Sequence, residues 1–426
     1  MTSNMTKLSV YSEIGRLRAV AVHAPGLEVD YMTPSLMHQL LFDDILFGRE
    51  AREEHAVFAQ VLAKVADEVP DVKDLLTEAL DQPGAKEHFL RRVAVLNNMP
   101  EADLEELSSL ANGTIAERVI SGWYESLNQG ASYRFRLPPT PNLLFMRDPG
   151  AVIGEGVSIN HMATAARRPE PFIMDTIYRF HPRYRVTDPR QILFDAIPSY
   201  LSGFPEPHDT IEGGDILVLS DKILAVGVSI RTSQSAVTML AESLRKTTEF
   251  ETLFAVLMPR ERAVMHLDTI FTQIDEEHCL IFPPLLRPKN PQSLPAMKMD
   301  LTSPTLQITL EDNFLDALSK AGHHLKPIFS GGQERLHQER EQWTDGANAF
   351  CLAPGIILGY SRNTRTAEEL DRAGYRVIAA EEVIADDINL LDGRRTMILI
   401  KGNELSRARG GPRCMTMPLR RDPHPL

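Results

Sequence analysis

The residues of this 426-residue chain that could do chemistry gather in a few short motifs. The sharpest is Arg409-Gly410-Gly411-Pro412-Arg413-Cys414, close to the C-terminal end. Only three cysteines occur. Cys279 and Cys351 lie inside apolar runs and read as small buried hydrophobes. Cys414 follows a Gly-Gly-Pro turn with arginine on both sides, and neighbouring cations favour the thiolate, the nucleophilic form. A loop cysteine with no task fits the same local sequence, so other motifs have to decide. His266-Leu267-Asp268 sets two polar side chains at i and i+2, on one face of an extended segment. A structural ion pair is its ordinary reading. Glu212-Gly213-Gly214-Asp215 sets two carboxylates around a Gly-Gly pair, which permits positive φ or close approach of another group. Asn142-Leu143-Leu144-Phe145-Met146-Arg147-Asp148 joins an amide, an aromatic ring and a carboxylate ahead of a strand. Gly227 to Ser233 presents Arg231 after one.

Together these residues define one chemistry. Carboxylates around a common pocket repel one another unless a cation sits among them. No cysteine–histidine cluster has zinc spacing, so a guanidinium or an amine is the expected cation. A planar guanidinium suits bidentate pairing with carboxylates. A thiolate can attack its central carbon, and a histidine can protonate departing ammonia and then activate water. Further arginines would bind a carboxylate at the far end of the same molecule.

The elements that must position these groups show in the pattern around them. Asp148 precedes Ala151-Val152-Ile153, the turn Gly154-Glu155-Gly156 and Val157-Ser158-Ile159. Asp215 precedes Ile216 to Leu219, a polar turn and Ile223 to Val226. Asp268 precedes Thr269 to Thr272, an acidic turn and Cys279 to Phe282. Asp345 precedes Ala349 to Leu352, Pro354-Gly355 and Ile356 to Leu358. Each is an acidic residue followed by a hairpin signature. A unit recurring about every 50 to 80 residues predicts a propeller-like array that closes on itself and brings equivalent strand ends together. Between a first strand at Leu17 to Val22 and these units, residues 48–122 carry apolar stripes at helical spacing. Val57, Phe58, Val61, Leu62 and Val65 form the first. Others follow at Val72 to Leu80, Phe89 to Val93 and Leu104 to Leu110, with Pro70, Pro83, Pro100 and Asn112-Gly113 between and after them. This predicts an inserted helical bundle.

Composition narrows the function class. The net charge of -13 disfavours nucleic acid and anionic membranes as partners. No apolar run reaches the roughly 18 residues of a membrane span. Met1 to Lys7 lacks an apolar signal core, and three cysteines make a sparse, odd set. A cytoplasmic protein without a disulfide framework is expected.

In these motifs the chain resembles the arginine deiminases of the guanidino-group-modifying superfamily. The likeness also runs through Ser12 to Leu17, Leu41-Phe42-Asp43-Asp44, Val157 to Met162 and Gly410 to Met415, and covers nearly the whole chain. It implies a pentein fold: one catalytic domain over residues 1–426, a five-fold pseudosymmetric α/β propeller with the helical bundle 48–122 inserted. It implies Cys414 as nucleophile, His266 as general acid and base, Asp148 and Asp268 as the guanidinium clamp, and Glu212 as support for both guanidinium and histidine. Asp215 belongs to the Glu212 motif and is grouped with the substrate-binding residues. Arg167, Arg231 and Arg409 match residues that bind the substrate carboxylate, and Asn142 and Phe145 match residues lining the amino-acid end and the hydrocarbon chain. The implied reaction turns L-arginine and water into L-citrulline and ammonia through a covalent thiouronium, with no cofactor and no metal. A homo-oligomer is expected from the resemblance alone.

Two departures stand out. Ser406 and Ala408 replace glycines that the family commonly has before the nucleophile, which limits positive φ there. Residues 381–401 read as an insertion of about 20 residues, a length more typical of a functional or peripheral element than of a turn. An amidinotransferase or dimethylarginine hydrolase would use the same cysteine and histidine, and a non-catalytic arginine-binding protein could share the fold.

Overall fold

In the computed structural model, which describes residues 7–201 and 208–423, the four expected hairpins form. The segment Met1 to Thr6, read above for a signal core, lies outside the described residues. Strand Gly150–Ile153 pairs antiparallel with Gly156–Ile159, Ile216–Val218 with Ile223–Val228, Phe271–Gln273 with His278–Ile281, and Phe350–Ala353 with Ile356–Tyr360. The second strand of each hairpin then takes a parallel neighbour: Ile192–Asp195, Thr252–Leu257, Lys326–Phe329 and Thr396–Ile400. Parallel pairing requires a crossover, and a helix supplies one in each unit. These are Glu170–Phe180, Gln234–Thr247, Phe314–Lys320 and Thr364–Arg372. Strands covered on both faces read as continuous apolar runs rather than alternating ones. Ile356–Tyr360 is buried at every position.

The chain ends build a fifth unit of the same pattern. Strand Met417–Arg421 pairs antiparallel with Leu17–Ala21. The latter runs parallel to residues 68–71, with Val20 N–H donating to Glu68 O at 3.1 Å and Val22 N–H to Pro70 O at 3.1 Å. Helix Gly48–Ala63 stands at the crossover position between them. Its apolar face packs on helix Ala380–Ala385, strand Thr396–Ile400 and the turn Leu405–Ala408. The helical region expected at 48–122 is therefore two things. Its first helix serves the strand unit. Helices Val72–Leu80, Ala85–Asn97, Glu101–Ser108 and Asn112–Ser121 form the bundle proper, linked to one another and laid against Glu170–Phe180. Periodicity could not separate them, because both kinds of helix bury one apolar stripe. Asp71 caps the bundle's first helix, its carboxylate accepting Lys73 N–H at 2.8 Å.

Residues 381–401 also differ from expectation. Expected to be an insertion, they include Thr396–Ile400, an inner strand between Ile356–Tyr360 and Arg376–Ala379. Among the described residues no helix is long and apolar enough to cross a membrane.

Asp148, Asp215, Asp268, Asp345 and Cys414 each lie within a few residues ahead of the first strand of a unit. The closure that brings Cys414 to this set carries a buried ion pair. Arg413 is fully buried and donates to Glu13 Oε1 and Oε2, both at 3.0 Å, and to Asp268 Oδ2 at 2.8 Å. Burial would raise the Glu13 carboxyl, but the charges of Arg413 and Arg147 hold it down at about 2. A carboxyl depressed in the fold contributes stability that is complete above its unfolded value and is lost as pH falls through about 2. Glu13→Ala should cost about 3–5 kcal/mol at neutral pH, because it strips a buried guanidinium of a partner. Urea unfolding measures this, and an unchanged midpoint would contradict the closure.

Candidate active site

The strand ends meet around a buried cavity lined by Asn142, Phe145, Asp148, Arg167, Glu212, Arg231, His266, Arg409 and Cys414. Nine of the eleven residues singled out in the sequence thus share one wall. The other two stand just outside that wall. Asp268 lies against Cys414, its Oδ2 4.0 Å from Sγ. Asp215 lies behind, its carboxylate taking Ser229 Oγ–H at 2.7 Å and Leu267 N–H at 2.8 Å. Asp215 therefore braces the His266-Leu267-Asp268 segment rather than meeting a ligand.

The electrostatics around the thiol reverse the sequence expectation. Cys414 is 5% exposed. Burial, and then the charges of Asp268, Asp345 and Asp148, push its pKa well above the ordinary thiol value. The arginines adjacent in sequence do not offset this. Arg413 is turned to Glu13 and Asp268, and Arg409 lies over the ring of Trp343, 3.4 Å from its centroid. The resting group is the neutral thiol. Asp268 is raised by burial against the opposing charge of Arg413, and its Oδ1 is a buried acceptor with no donor.

His266 stands between two carboxylates. Its Nε2 is 2.9 Å from Glu212 Oε2 and its Nδ1 3.8 Å from Asp148 Oδ1. Burial works against the charged ring, yet the Asp148 charge and the hydrogen bond to Glu212 raise it to about 9. Burial would likewise raise Glu212, but Arg231, His266 and Arg167 hold it at about 2. The pair is an imidazolium against a carboxylate at neutral pH. The Gly-Gly pair ahead of Asp215 is there for space: a Cβ on Gly214 would sit 2.6 Å from His266 Nδ1. Gly214 N–H also donates to Asp148 Oδ1 at 3.0 Å.

Asp148, Glu212 and His266 could present ligand atoms to a single ion, all within 4.8 Å of one another. A cation of the protein already stands there. Arg167 Nη1 is 2.5 Å from Asp148 Oδ2 and 4.0 Å from Glu212 Oε2. The rest of its guanidinium donates to Glu170 at 2.9 and 2.8 Å and to the carbonyls of Asn142 and Phe145 at 3.1 and 3.3 Å. Arg167, expected to meet a substrate carboxylate, is thus spent on the protein's own anions. Arg231 is committed only loosely, its Nη1 3.9 Å from Glu212 Oε1. Arg231 Nη1 and Arg409 Nε and Nη1 are buried donors without acceptors.

The free space in the cavity is about 40 Å³. That suits water, each molecule taking about 30 Å³ in the liquid, and falls far below the roughly 300 Å³ of a small-ligand pocket. Leu41, Arg262, Ala408 and Arg409 close it. Arg262 donates to Asp43 at 2.8 Å and Arg407 to Asp44 at 2.5 Å, which ties the Leu41–Asp44 motif over the mouth. Neither Ser406 nor Ala408 takes a positive φ; Arg409 does, at 68°. A left-handed arginine costs on the order of 1 kcal/mol, and the stacking on Trp343 offsets it. Sequence reasoning missed Trp343, Glu170 and Asn348, because a tryptophan, a helix-start glutamate and a turn asparagine have ordinary structural roles. It also missed Glu13 as the partner of Arg413, although Ser12 to Leu17 was among the matching motifs.

The chain is similar to known proteins along nearly its whole length. The family model for arginine deiminase matches residues 38–421. An arginine deiminase of Limosilactobacillus reuteri is 34% identical over 433 residues, spanning 97% of this chain and 98% of that one. One from Clostridium perfringens is 35% identical over 440 residues, with coverage of 97% and 98%. Among solved structures, the N-terminal domain of ArgZ, a cyanobacterial arginine dihydrolase, superposes with a TM-score of 0.50 at 15% identity, over 95% of this chain and 97% of that one. That likeness concerns the mixed α/β fold; sequence and family match together place the chain in the arginine deiminase family.

Proposed function

We propose that this pocket hydrolyses L-arginine to L-citrulline and ammonia through a thiouronium on Cys414. One observation carries the reading. The site holds a buried acceptor without a hydrogen-bond donor, Asp268 Oδ1, and buried donors without hydrogen-bond acceptors on Arg231 and Arg409. A molecule with a cationic head and an anionic tail satisfies both. Asp148 and Asp268 take the guanidinium, Arg231 and Arg409 take the carboxylate, and Asn142 and Phe145 flank the chain between. With about 40 Å³ free, entry requires the Leu41–Asp44 and Leu405–Arg409 segments to move.

The steps follow from the charges. Burial and the field of the nearby carboxylates keep Cys414 protonated; the guanidinium offsets that field at Asp148 and Asp268, and the thiol releases its proton to water. The thiolate adds to the central guanidinium carbon. His266, held as an imidazolium by Glu212, protonates a terminal nitrogen, which leaves as ammonia. The neutral ring then takes a proton from water and the hydroxide adds to the thiouronium; as the C–S bond breaks and the carbonyl forms, the hydroxyl proton passes to the departing thiolate, leaving L-citrulline and the resting thiol. The three free cysteines suit a reducing cytosol. The five strand units read as blades of one pseudosymmetric propeller, a single catalytic domain into which helices 72–121 are inserted.

Cys414→Ala should fold normally and lose essentially all citrulline formation, since water alone attacks a resonance-stabilised guanidinium poorly. Citrulline production at a rate near wild type would contradict the mechanism. Because His266 must be protonated, kcat/KM should fall as pH rises through about 9. It should fall on the acid side as Asp268 takes up a proton. A pH–rate profile still climbing beyond the alkaline point would remove His266 as the acid. Agmatine has the guanidinium but no carboxylate. An unpaired buried arginine costs several kcal/mol and each 1.4 kcal/mol is about tenfold. L-Arginine should therefore be preferred by at least about a hundredfold in kcat/KM. Arg231→Leu should shrink that preference, and an unchanged ratio would misplace the carboxylate end.

A further inference from the structure

Asn348 belongs to no step above, yet it touches both members of the central pair. Its side chain is fully buried. Oδ1 accepts the N–H of Arg413 at 3.1 Å and that of Cys414 at 3.2 Å. Nδ2 donates to the main-chain carbonyl of Asp268 at 3.2 Å. Two donors on one side and a carbonyl on the other fix which end of the amide faces which. One side chain thereby pins the main chain of the cysteine to that of the carboxylate whose Oδ2 lies 4.0 Å from the sulfur.

The pin is itself braced. It projects from a turn in which Asn348 N–H donates to Asp345 O at 3.0 Å and Gly346 N–H to Glu341 O at 2.8 Å. The turn belongs to the unit of strand Phe350–Ala353, whereas Asp268 and Cys414 precede strands Phe271–Gln273 and Met417–Arg421. Three strand units meet at this one amide. Gly411 completes the arrangement: a Cβ there would stand 2.5 Å from Asn348 Oδ1. Its φ is not positive, so the requirement is room for the amide.

We propose that Asn348 is a positioning residue for the reaction, setting where the sulfur stands relative to Asp268 and His266 without touching the substrate. The proposal rests on the reading of Cys414 as nucleophile. Alanine at 348 removes both hydrogen-bonding arms. Aspartate keeps the acceptor for the two N–H groups, loses the donor to Asp268 and adds an anion beside a thiol already held protonated by anions. Alanine at 411 leaves Asn348 in place and pushes its amide away.

The test measures kcat and KM for L-arginine, the rate at which iodoacetamide alkylates Cys414 as a function of pH, and the thermal midpoint, in Asn348→Ala, Asn348→Asp and Gly411→Ala. Assays run well below each midpoint. A displacement of about 1 Å at a reacting centre costs about a hundredfold in rate, so kcat should fall by about that factor in Asn348→Ala and Gly411→Ala while KM changes little. In Asn348→Asp, alkylation should require a higher pH than in the wild type. A folded Asn348→Ala protein with wild-type kcat overturns the proposal. If that variant does not fold, Asn348→Asp decides, and wild-type kcat with an unshifted alkylation profile overturns it. A wild-type protein whose Cys414 alkylates but which makes no citrulline from arginine counts against the proposed reaction and leaves the geometric role to the alkylation profiles.

Discussion

Carboxylates buried together repel, and each must find a cation or keep a proton. Asp148, Glu212, Asp268, Glu170 and Glu13 are gathered within the centre of this protein, and the cations beside them are distributed accordingly. Arg167 is given to Glu170 and Asp148. Arg413 is given to Glu13 and Asp268. His266 is charged against Glu212. Burial, and then the negative charge of Asp268, Asp345 and Asp148, keep Cys414 protonated rather than as the thiolate its flanking arginines suggested. A delocalised guanidinium completes the balance. In the proposed reaction the same charge deficit selects the substrate's head group and controls Cys414.

The fold exists to bring those charges to one place. Asp148, Asp268 and Cys414 each stand shortly ahead of a strand, the last in the unit made from the two chain ends. Its closure is not left to strand pairing alone, since the Arg413–Glu13 pair reaches from the turn ahead of Met417–Arg421 to the segment ahead of Leu17–Ala21. Asn348 adds a second tie across units. Helices 72–121 contribute core and a cover for Glu170–Phe180 but no residue to the cavity wall.

Much of this was legible in the sequence where local rules apply. The hairpins after Asp148, Asp215, Asp268 and Asp345 follow from turn residues between apolar runs, and the helices of residues 48–121 from their periodicity. The wall residues were legible because charged groups at repeated positions are hard to explain by solvation. Long-range partnership was not. Nothing near Cys414 says that Arg413 turns inward to a glutamate 400 positions away, so the thiol was read with the wrong sign of charge. Gly48–Ala63 carries the same stripe whether it serves a crossover or a bundle. Thr396–Ile400 looked like part of an insertion because an inner parallel strand is recognised only once its neighbours are known. The site was readable as a composition, its electrostatics only as a geometry.

The central claim is that the anionic pocket keeps Cys414 neutral until a guanidinium arrives. Ultraviolet absorbance of the thiolate, recorded against pH as the difference between the protein and Cys414→Ser, tests it directly. The free protein should show no thiolate at neutral pH and ionise only above the ordinary range for cysteine. A non-reacting guanidinium ligand should bring that ionisation down. A free protein already carrying the thiolate at neutral pH, or one whose titration the ligand leaves in place, would contradict the account.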